Sequence, residues 1–277
     1  RAQGTDEQVQ RFLEPTRKEA KLLVGSASEP GGGRHSSTAV PAEGGGFVVN
    51  GVKHYATNAT HCTWMTVHLL NTASEHIETL VINTGSEGLQ IDESVWDPGG
   101  MRACVSPLLI FQDCFVPEDC LLRNSNRFYE ELWLAKINFG FTANYLGILQ
   151  GMYRFARDYL RERGTRNVEI FQATLGSMSA RVDAARLLFY QAASLIPTDQ
   201  EKAIVLSNKA KWLAVETFGQ FVAEIGQLVG STGFFRSFPL ERLVRDGQVH
   251  TLHRRHHVGA MVVGQYELGL EYDLNKS

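Results

Sequence analysis

The feature that most constrains this chain is a change of hydrophobic period near residue 125. Before it, glycine, serine, threonine and asparagine interrupt the apolar runs at the roughly 8–12-residue spacing of short strands joined by turns. After it, Phe141, Tyr145, Ile148, Met152, Phe155 and Tyr159 recur at helical spacing. A side-chain period of two lines one face of a strand, and a period near 3.6 lines one face of a helix. Strands followed by helices predict an α+β architecture of two packed units. The expected units are an all-β module up to about residue 122 and a four-helix bundle beyond it.

Local signals refine this expectation. Asn50-Gly51 tolerates the positive φ angles of a type I′ turn, predicting a hairpin within 46–57. Further strands are expected at 65–71, 78–83 and 107–112. Thr5-Asp6-Glu7-Gln8 has capping-box spacing, so residues 5–14 should be a short helix or the end of a longer one. Later helices are expected over 128–163 and 168–196, the second stopped by Pro197. A third should open at the Thr198–Glu201 capping box, carry Ala210, Ala214, Thr217, Phe221, Ile225 and Leu228 inward, and stop at Gly230–Gly233. A fourth should run from Pro239 to about Gly269. More than one apolar face per helix predicts a homotetramer or homodimer.

Composition excludes several classes of function. The chain has 277 residues, 27 Lys+Arg against 30 Asp+Glu, a net charge of −3 and 43% apolar residues. Such a balance argues against disorder and gives no pull toward nucleic acid or an anionic membrane. No unbroken apolar run approaches the roughly 18 residues of a bilayer span. Cys62, Cys104, Cys114 and Cys120 have no CxxC spacing, which predicts reduced thiols and a cytoplasmic setting. Arg1 opens the chain without a signal-peptide pattern, so a segment of a longer soluble protein is expected.

Two short segments suit a planar polar ligand. Gly25–Gly33 is glycine-rich, but no Gly-Lys-Ser/Thr follows it and no βαβ unit surrounds it, so a phosphate loop is not expected. A plain turn would explain its composition. So would a loop offering backbone N–H groups and the alternating hydroxyls of Ser26 and Ser28 to a ligand. Tyr55 and Thr57, two apart, share a face if they lie on a strand.

In order along the chain stand Ser28-Glu29-Pro30-Gly31-Gly32-Gly33, then Asn50–Asn58, Gly100-Met101-Arg102, Phe115-Val116-Pro117 and the helical bundle. This ordered set resembles the acyl-CoA dehydrogenase superfamily over essentially the whole chain. Gln172, Ala184-Ala185-Arg186, Gln227–Phe234 and Glu241–Asp246 agree. The resemblance implies a middle antiparallel β-barrel domain over 25–122 and a C-terminal four-helix bundle over 123–277, with 1–24 the end of an N-terminal helical domain that is otherwise largely missing. It also implies a flavin, FMN or FAD, held between the β domain and the bundle, with a neighbouring subunit closing the site. Gly25, Ser26 and Ser28 would meet the ring edge, Tyr55 would pack by the ring, and Thr57 would hydrogen-bond near N5. Arg161 or Arg163 would meet the flavin phosphate, and a solvated helix end is the plainer reading of both. Gln227 and Ser231 would reach a flavin across the subunit interface.

Departures from the family pattern point further. Ordinary members carry a glutamate base about eight residues after Arg-Asp; here Gly247–His257 holds none. Relatives that place the base on the first bundle helix find no counterpart in Ala135-Lys136-Ile137-Asn138. A carboxylate is what removes an acyl thioester's α-proton as hydride leaves. His250-Thr251-Leu252-His253 instead resembles the two-component flavin monooxygenases typified by dibenzothiophene monooxygenase, as do Asn144–Gly147 and Val262–Tyr266. Gly31–His35 also lacks the Gly-Ser-Asp of the dehydrogenases, whereas Ser28-Glu29-Pro30 keeps their pattern.

The resemblance thus implies reduced flavin delivered by a separate reductase, O₂, and a small heteroatom-containing or aromatic substrate. An acyl-CoA dehydrogenase with a relocated base and a non-catalytic flavin-binding subunit remain alternatives. Imidazole, with an ordinary pKa of about 6.5, suits proton transfer to oxygen. His253 is assigned that role and His250 its support, on one side of a common helix; without the resemblance both would be surface histidines beside Arg254 and Arg255. A metal cluster of His250, His253, His256 and His257 is not expected, because no carboxylate stands at HExxH spacing. His61 and Cys62, adjacent on a strand, would face opposite ways. Trp133, Phe139, Phe141, Phe234 and Phe235 could line an aromatic pocket, or simply be core.

Overall fold

A computed structural model describes residues 4–19, 22–32, 36–122, 127–253 and 256–277. Gly33, Arg34, His35, Arg254 and Arg255, cited in the sequence reading, lie outside the described residues. The chain forms two units, Arg1–Pro98 with Arg102–Glu131, and Gly99–Met101 with Leu132–Ser277. The sheet-rich region followed by helices is the α+β architecture expected.

The first unit opens on α1 (Asp6–Gln8), a π-turn over Val9–Leu13 and α2 (Glu14–Lys18). Thr5 and Gln8 form the expected capping box. Gln8 also donates to the carbonyls of Asp119 and Leu121, and Phe12 packs edge-on to Trp64 at 4.9 Å between ring centres. The strands are β1 (Leu22–Ser26), β2 (Thr38–Pro41), β3 (Phe47–Lys53), β4 (Cys62–Asn71), β5 (His76–Asn83), β6 (Leu89–Asp92), β7 (Leu108–Val116) and β8 (Leu121–Leu122). They make one sheet in the order β6-β7-β3-β2-β4-β5-β8, with β1 also on β4. Pairing is antiparallel apart from β1 and β2, which run parallel to β4. Val49, Met65, Val67, Leu69, Leu80, Ile82 and Leu109 fill the core.

The hairpin expected at Asn50-Gly51 is not there. Both residues lie inside β3, at a bulge against β7 between Val49 and Gly51. The turn instead spans Ala42–Gly46, where three successive glycines at positive φ take the conformations that a side chain would oppose. Gly51 has another reason to be glycine: at φ 132° its missing Cβ would sit 2.6 Å from Ser37 Cα.

In the second unit, α4 (Trp133–Glu162), α5 (Glu169–Leu195) and α6 (Gln200–Val229) are the long helices. The first expected helix is interrupted: α3 (Arg127–Glu130) belongs to the sheet unit, and Leu132 at φ 58° separates it from α4. Asp199, not Thr198, caps α6 by accepting from the Lys202 amide. The stripe from Ala210 to Leu228 is buried as expected, packed with Leu149, Met152, Ala156 and Met178. The fourth helix is two helices, α7 (Leu240–His250) and α8 (His256–Glu267). After α7 the chain tightens, with the Leu252 and His253 amides bonding three residues back, so the α-helical ladder is not continued. No helix among the described residues is long and apolar enough to cross a membrane.

Replacing Gly51 by Ala should lower stability by about 1–3 kcal/mol, since the new Cβ meets both an unfavourable φ and Ser37. Urea unfolding at constant pH reads this directly; an unshifted midpoint would contradict the packing described.

Candidate functional site

In the sheet unit the two segments singled out in the sequence are tied together from beneath. The amide of His54 donates to the Ser28 carbonyl at 2.8 Å. One residue away in sequence on each segment, Lys53 Nζ donates to Glu29 Oε1 at 2.5 Å, with both side chains wholly buried. Glu29 also accepts from the Ser36 amide at 2.8 Å, the Ser37 amide at 3.1 Å and the Ser36 hydroxyl. Burial alone would raise the Glu29 carboxyl, yet Lys53 and the Ser36 donors outweigh it and hold it at about 2. Burial pulls Lys53 down, against the raising effect of Glu29. Sequence reasoning assigned no role to this pair. Its signal was the phase of β3: Lys53 falls in step with buried Phe47 and Val49, and a lysine in step with a core needs a buried partner.

Above this tie lie the groups expected to face a ligand. Gly25, in β1, pairs with Thr66 of β4 and is exposed. Ser26 is 2% exposed, and its hydroxyl has no protein partner. Ser28 is exposed. Tyr55 and Thr57 do not lie on a strand, because β3 ends at Lys53, so alternation does not place them on a common face. Tyr55 instead sits at φ 58°, 56% exposed as a residue, with its ring stacked on His54, 3.9 Å between centres. The Thr57 hydroxyl is 2.8 Å from that of Ser106, which donates to the Cys104 carbonyl at 2.8 Å. Ser106 has only one hydroxyl hydrogen, so Thr57 donates to Ser106 and keeps its lone pairs for an outside donor.

In the helical unit, α7 carries its carboxylates already committed. Glu241 accepts from Arg245, and Asp246 Oδ1 accepts from the Met101 amide at 2.6 Å. Arg245 also donates to the Gly99 carbonyl, and Gly100 lies so close to the Arg245 carbonyl that a Cβ there would be 2.1 Å from it. The Arg-Asp pair thus fastens the Gly99–Met101 loop to α7. His250 closes α7 at 7% exposure, with neither ring nitrogen partnered. Its ring lies 5.0 Å from Tyr145, 5.0 Å from His253 and 5.9 Å from Phe141, between ring centres. Burial, then the charge of His253, pushes its pKa down to about 4.

His253 lies beyond α7, so the two histidines do not share a helix face. The chain turn brings the rings together all the same, with His253 Nδ1 3.1 Å from the His250 carbonyl and its side chain exposed. His256 bonds the Thr251 carbonyl through Nε2. Among the described residues, no group of three or more His, Cys, Asp or Glu could hold a metal. Of the aromatic residues proposed for a pocket, Phe141 stands beside both imidazoles. Phe139 packs on Phe189, Trp133 lies under Lys136, and Phe235 is exposed.

Arg163 folds back over the Tyr159 ring and donates to its hydroxyl at 2.9 Å. Arg161 is the freer of the two, 3.6 Å from Asp158. Gln227 and Ser231 are exposed at the end of α6 and just after it, where Gly230 at φ 63° turns the chain. The four cysteines are free thiols.

Residues 26–114 match the acyl-CoA dehydrogenase middle domain, and residues 139–258 match the acyl-CoA dehydrogenase C-terminal domain. A 3-(aryl)acrylate reductase of Clostridium sporogenes is 30% identical over 261 residues, 89% of this chain and 68% of the relative. Subunit CarC of the caffeyl-CoA reductase-Etf complex of Acetobacterium woodii is 27% identical over 263 residues, 90% of this chain and 69% of the relative. TdsC from Paenibacillus sp. A11-2, solved with FMN and indole, shares the fold at TM-score 0.89 and 22% identity, covering 100% of this chain and 78% of that one. The class is a flavin-dependent oxidoreductase. The chain belongs to the acyl-CoA dehydrogenase family. The residues present fit a flavin: a buried hydroxyl without a protein partner, an exposed ring at a fixed positive φ, and a hydroxyl whose lone pairs are left open.

The pKa of His250 gives a pH test. The ring is neutral in the folded chain down to about 4, whereas an unfolded histidine protonates near 6.5. Between these values the unfolded state binds more protons, so stability is full above 6.5 and falls as pH drops toward 4. Comparing urea midpoints across that window, the parent should lose stability and His250→Gln should lose about 2–3 kcal/mol less. Equal pH slopes for the two would overturn the assignment.

Proposed function

We propose that this chain is the oxygenase part of a two-component flavin monooxygenase acting on a small aromatic or heteroatom-containing substrate. The observation that carries the reading is the chemistry of α7 and its exit. Both α7 carboxylates are engaged in holding the Gly99–Met101 loop and Arg245, and the groups left to handle a proton are two imidazoles. Abstraction of an acyl α-proton needs a free carboxylate, whereas proton delivery to oxygen suits imidazole.

In this reading Gly25, Ser26, Ser28 and Tyr55 bind and orient the flavin ring, and Arg161, or Arg163, meets its phosphate. Gln227 and Ser231 extend toward a flavin held by a second subunit of a homotetramer or homodimer. Bound reduced flavin supplies the electron pair for O₂ chemistry. Thr57, donating to Ser106, presents an acceptor that matches the N5–H of reduced flavin and is mismatched to the oxidised ring. That polarity supports delivery of reduced flavin by a separate reductase. His250, neutral and walled by Tyr145 and Phe141, holds the His253 main-chain turn, and exposed His253 passes the proton. Phe141 beside both rings favours an aromatic substrate.

A second reading, an acyl-CoA dehydrogenase or reductase with its base elsewhere, is favoured by the relatives that bear CoA-ester names at 27% identity.

Replacing His253 by Ala should leave flavin affinity within about twofold and cut product formed per O₂ by about a hundredfold, the usual scale of general acid catalysis. Released hydrogen peroxide should rise in step. Coupled assays of O₂ uptake, product and peroxide read all three, and parental coupling in the variant would remove the basis of the proposal.

A further inference from the structure

Glu29 and Lys53 are charged, wholly buried and unused by the chemistry above. Neither can touch a bound ligand, since neither side chain reaches the surface. Their neighbours in sequence are the ligand-facing groups: Ser28 precedes Glu29, and His54 and Tyr55 follow Lys53. We propose that Glu29 and Lys53 are positioning residues that fix segment 26–30 against segment 53–57 and thereby set flavin affinity. The inference rests on the flavin site described above and adds two residues to its support.

The geometry argues for positioning rather than for stability alone. Two charges taken out of water recover their hydration only when hydrogen bonding is complete, and a neutral, well-packed pair is often as stable. Here the bonding is directed. Glu29 gathers the Ser36 and Ser37 amides and the Ser36 hydroxyl on one side, and Lys53 on the other. Ser37 then bonds the amide and carbonyl of Val52 through its hydroxyl, at 3.1 and 3.0 Å. His54 bonds Ser28 at 2.8 Å. The carboxylate therefore joins the chain on either side of residues 30–35 to the end of β3. With Lys53 removed, the direct tie between the two segments is reduced to the His54–Ser28 bond, and the remaining link runs indirectly from Glu29 through Ser37 to Val52.

The test uses the full chain as Glu29→Gln, Lys53→Met and the double variant, in which size is kept and charge removed from both partners. Titration with reduced and oxidised FMN, and separately FAD, gives affinity and the visible spectrum of bound flavin. Amide hydrogen exchange without flavin gives protection at Ser36, Ser37 and His54, with β4 and β5 as internal control. The double variant should unfold within a few degrees of the parent. It should bind flavin about tenfold or more weakly, the scale of one lost charge-assisted bond, with a shifted spectrum. Its Ser36, Ser37 and His54 amides should exchange faster while β4 and β5 remain protected.

Parental affinity, spectrum and exchange in a folded double variant would overturn the proposal. So would uniform loss of protection across the whole sheet, which marks a purely structural pair. If the single variants do not fold, the double variant decides alone; if it too fails to fold, the pair is structural and the proposal falls. A parent chain that binds no flavin, yet shows faster exchange at these three amides in the variants, sinks the flavin reading and leaves the tie between the segments standing.

Discussion

The ion pair between Glu29 and Lys53 is the constraint on which the surface proposed to face the flavin depends. Two opposite charges with no access to water cannot be left half satisfied, so the loop that bears Glu29 and the end of β3 that bears Lys53 must meet in one arrangement. That requirement brings Ser37 against Val52, leaves no room for a Cβ at Gly51, and places the Ser28 carbonyl on the His54 amide. The exposed Tyr55 ring and the open Thr57 hydroxyl follow directly from it in the chain. Surface chemistry here is set by buried electrostatics one residue away.

The helical unit solves a different problem with the same kind of economy. Arg245 and Asp246 hold the Gly99–Met101 loop through a main-chain carbonyl and a main-chain amide, and with Glu241 paired to Arg245 both carboxylates of α7 are engaged. The chain then leaves α7 in a tight turn that sets His250 and His253 ring to ring beside Phe141 and Tyr145. Burial keeps His250 neutral, while His253 stays exposed. One imidazole is thus structural in environment and the other available, a division of labour that two surface histidines on a common helix face would not show.

Much of this was legible in the sequence, and the failures have identifiable causes. Period alone located the sheet region, α4, α5 and α6, because their inward stripes are long and uninterrupted. Asn50-Gly51 misled because a bulge with a close neighbour wants glycine for the same conformational freedom as a tight turn, and local sequence cannot separate the two. Thr198 was one residue off because Asp199 is an equally good cap. The break after His250 carries no proline or glycine, so periodicity ran through it. Ser26, Tyr55 and Thr57 were singled out only through the family resemblance, and Tyr55 sits at a positive φ that no propensity predicts. Glu29 and Lys53 were missed because a pair separated by 24 positions gives no local pattern.

On the proposed reading, this member of the acyl-CoA dehydrogenase family handles oxygen rather than acyl-CoA, because both α7 carboxylates are engaged and the exposed group at the exit of α7 is the His253 imidazole. The most direct measurement is anaerobic mixing of the oxidised, flavin-loaded chain with butyryl-CoA and with an arylpropionyl-CoA, followed in the visible flavin absorbance. The reduced, flavin-loaded chain is then mixed with O₂ in parallel. The account predicts no bleaching by any acyl-CoA and rapid, substrate-dependent O₂ consumption by the reduced form. Bleaching by an acyl-CoA within the mixing time would contradict it and place a working base in this chain.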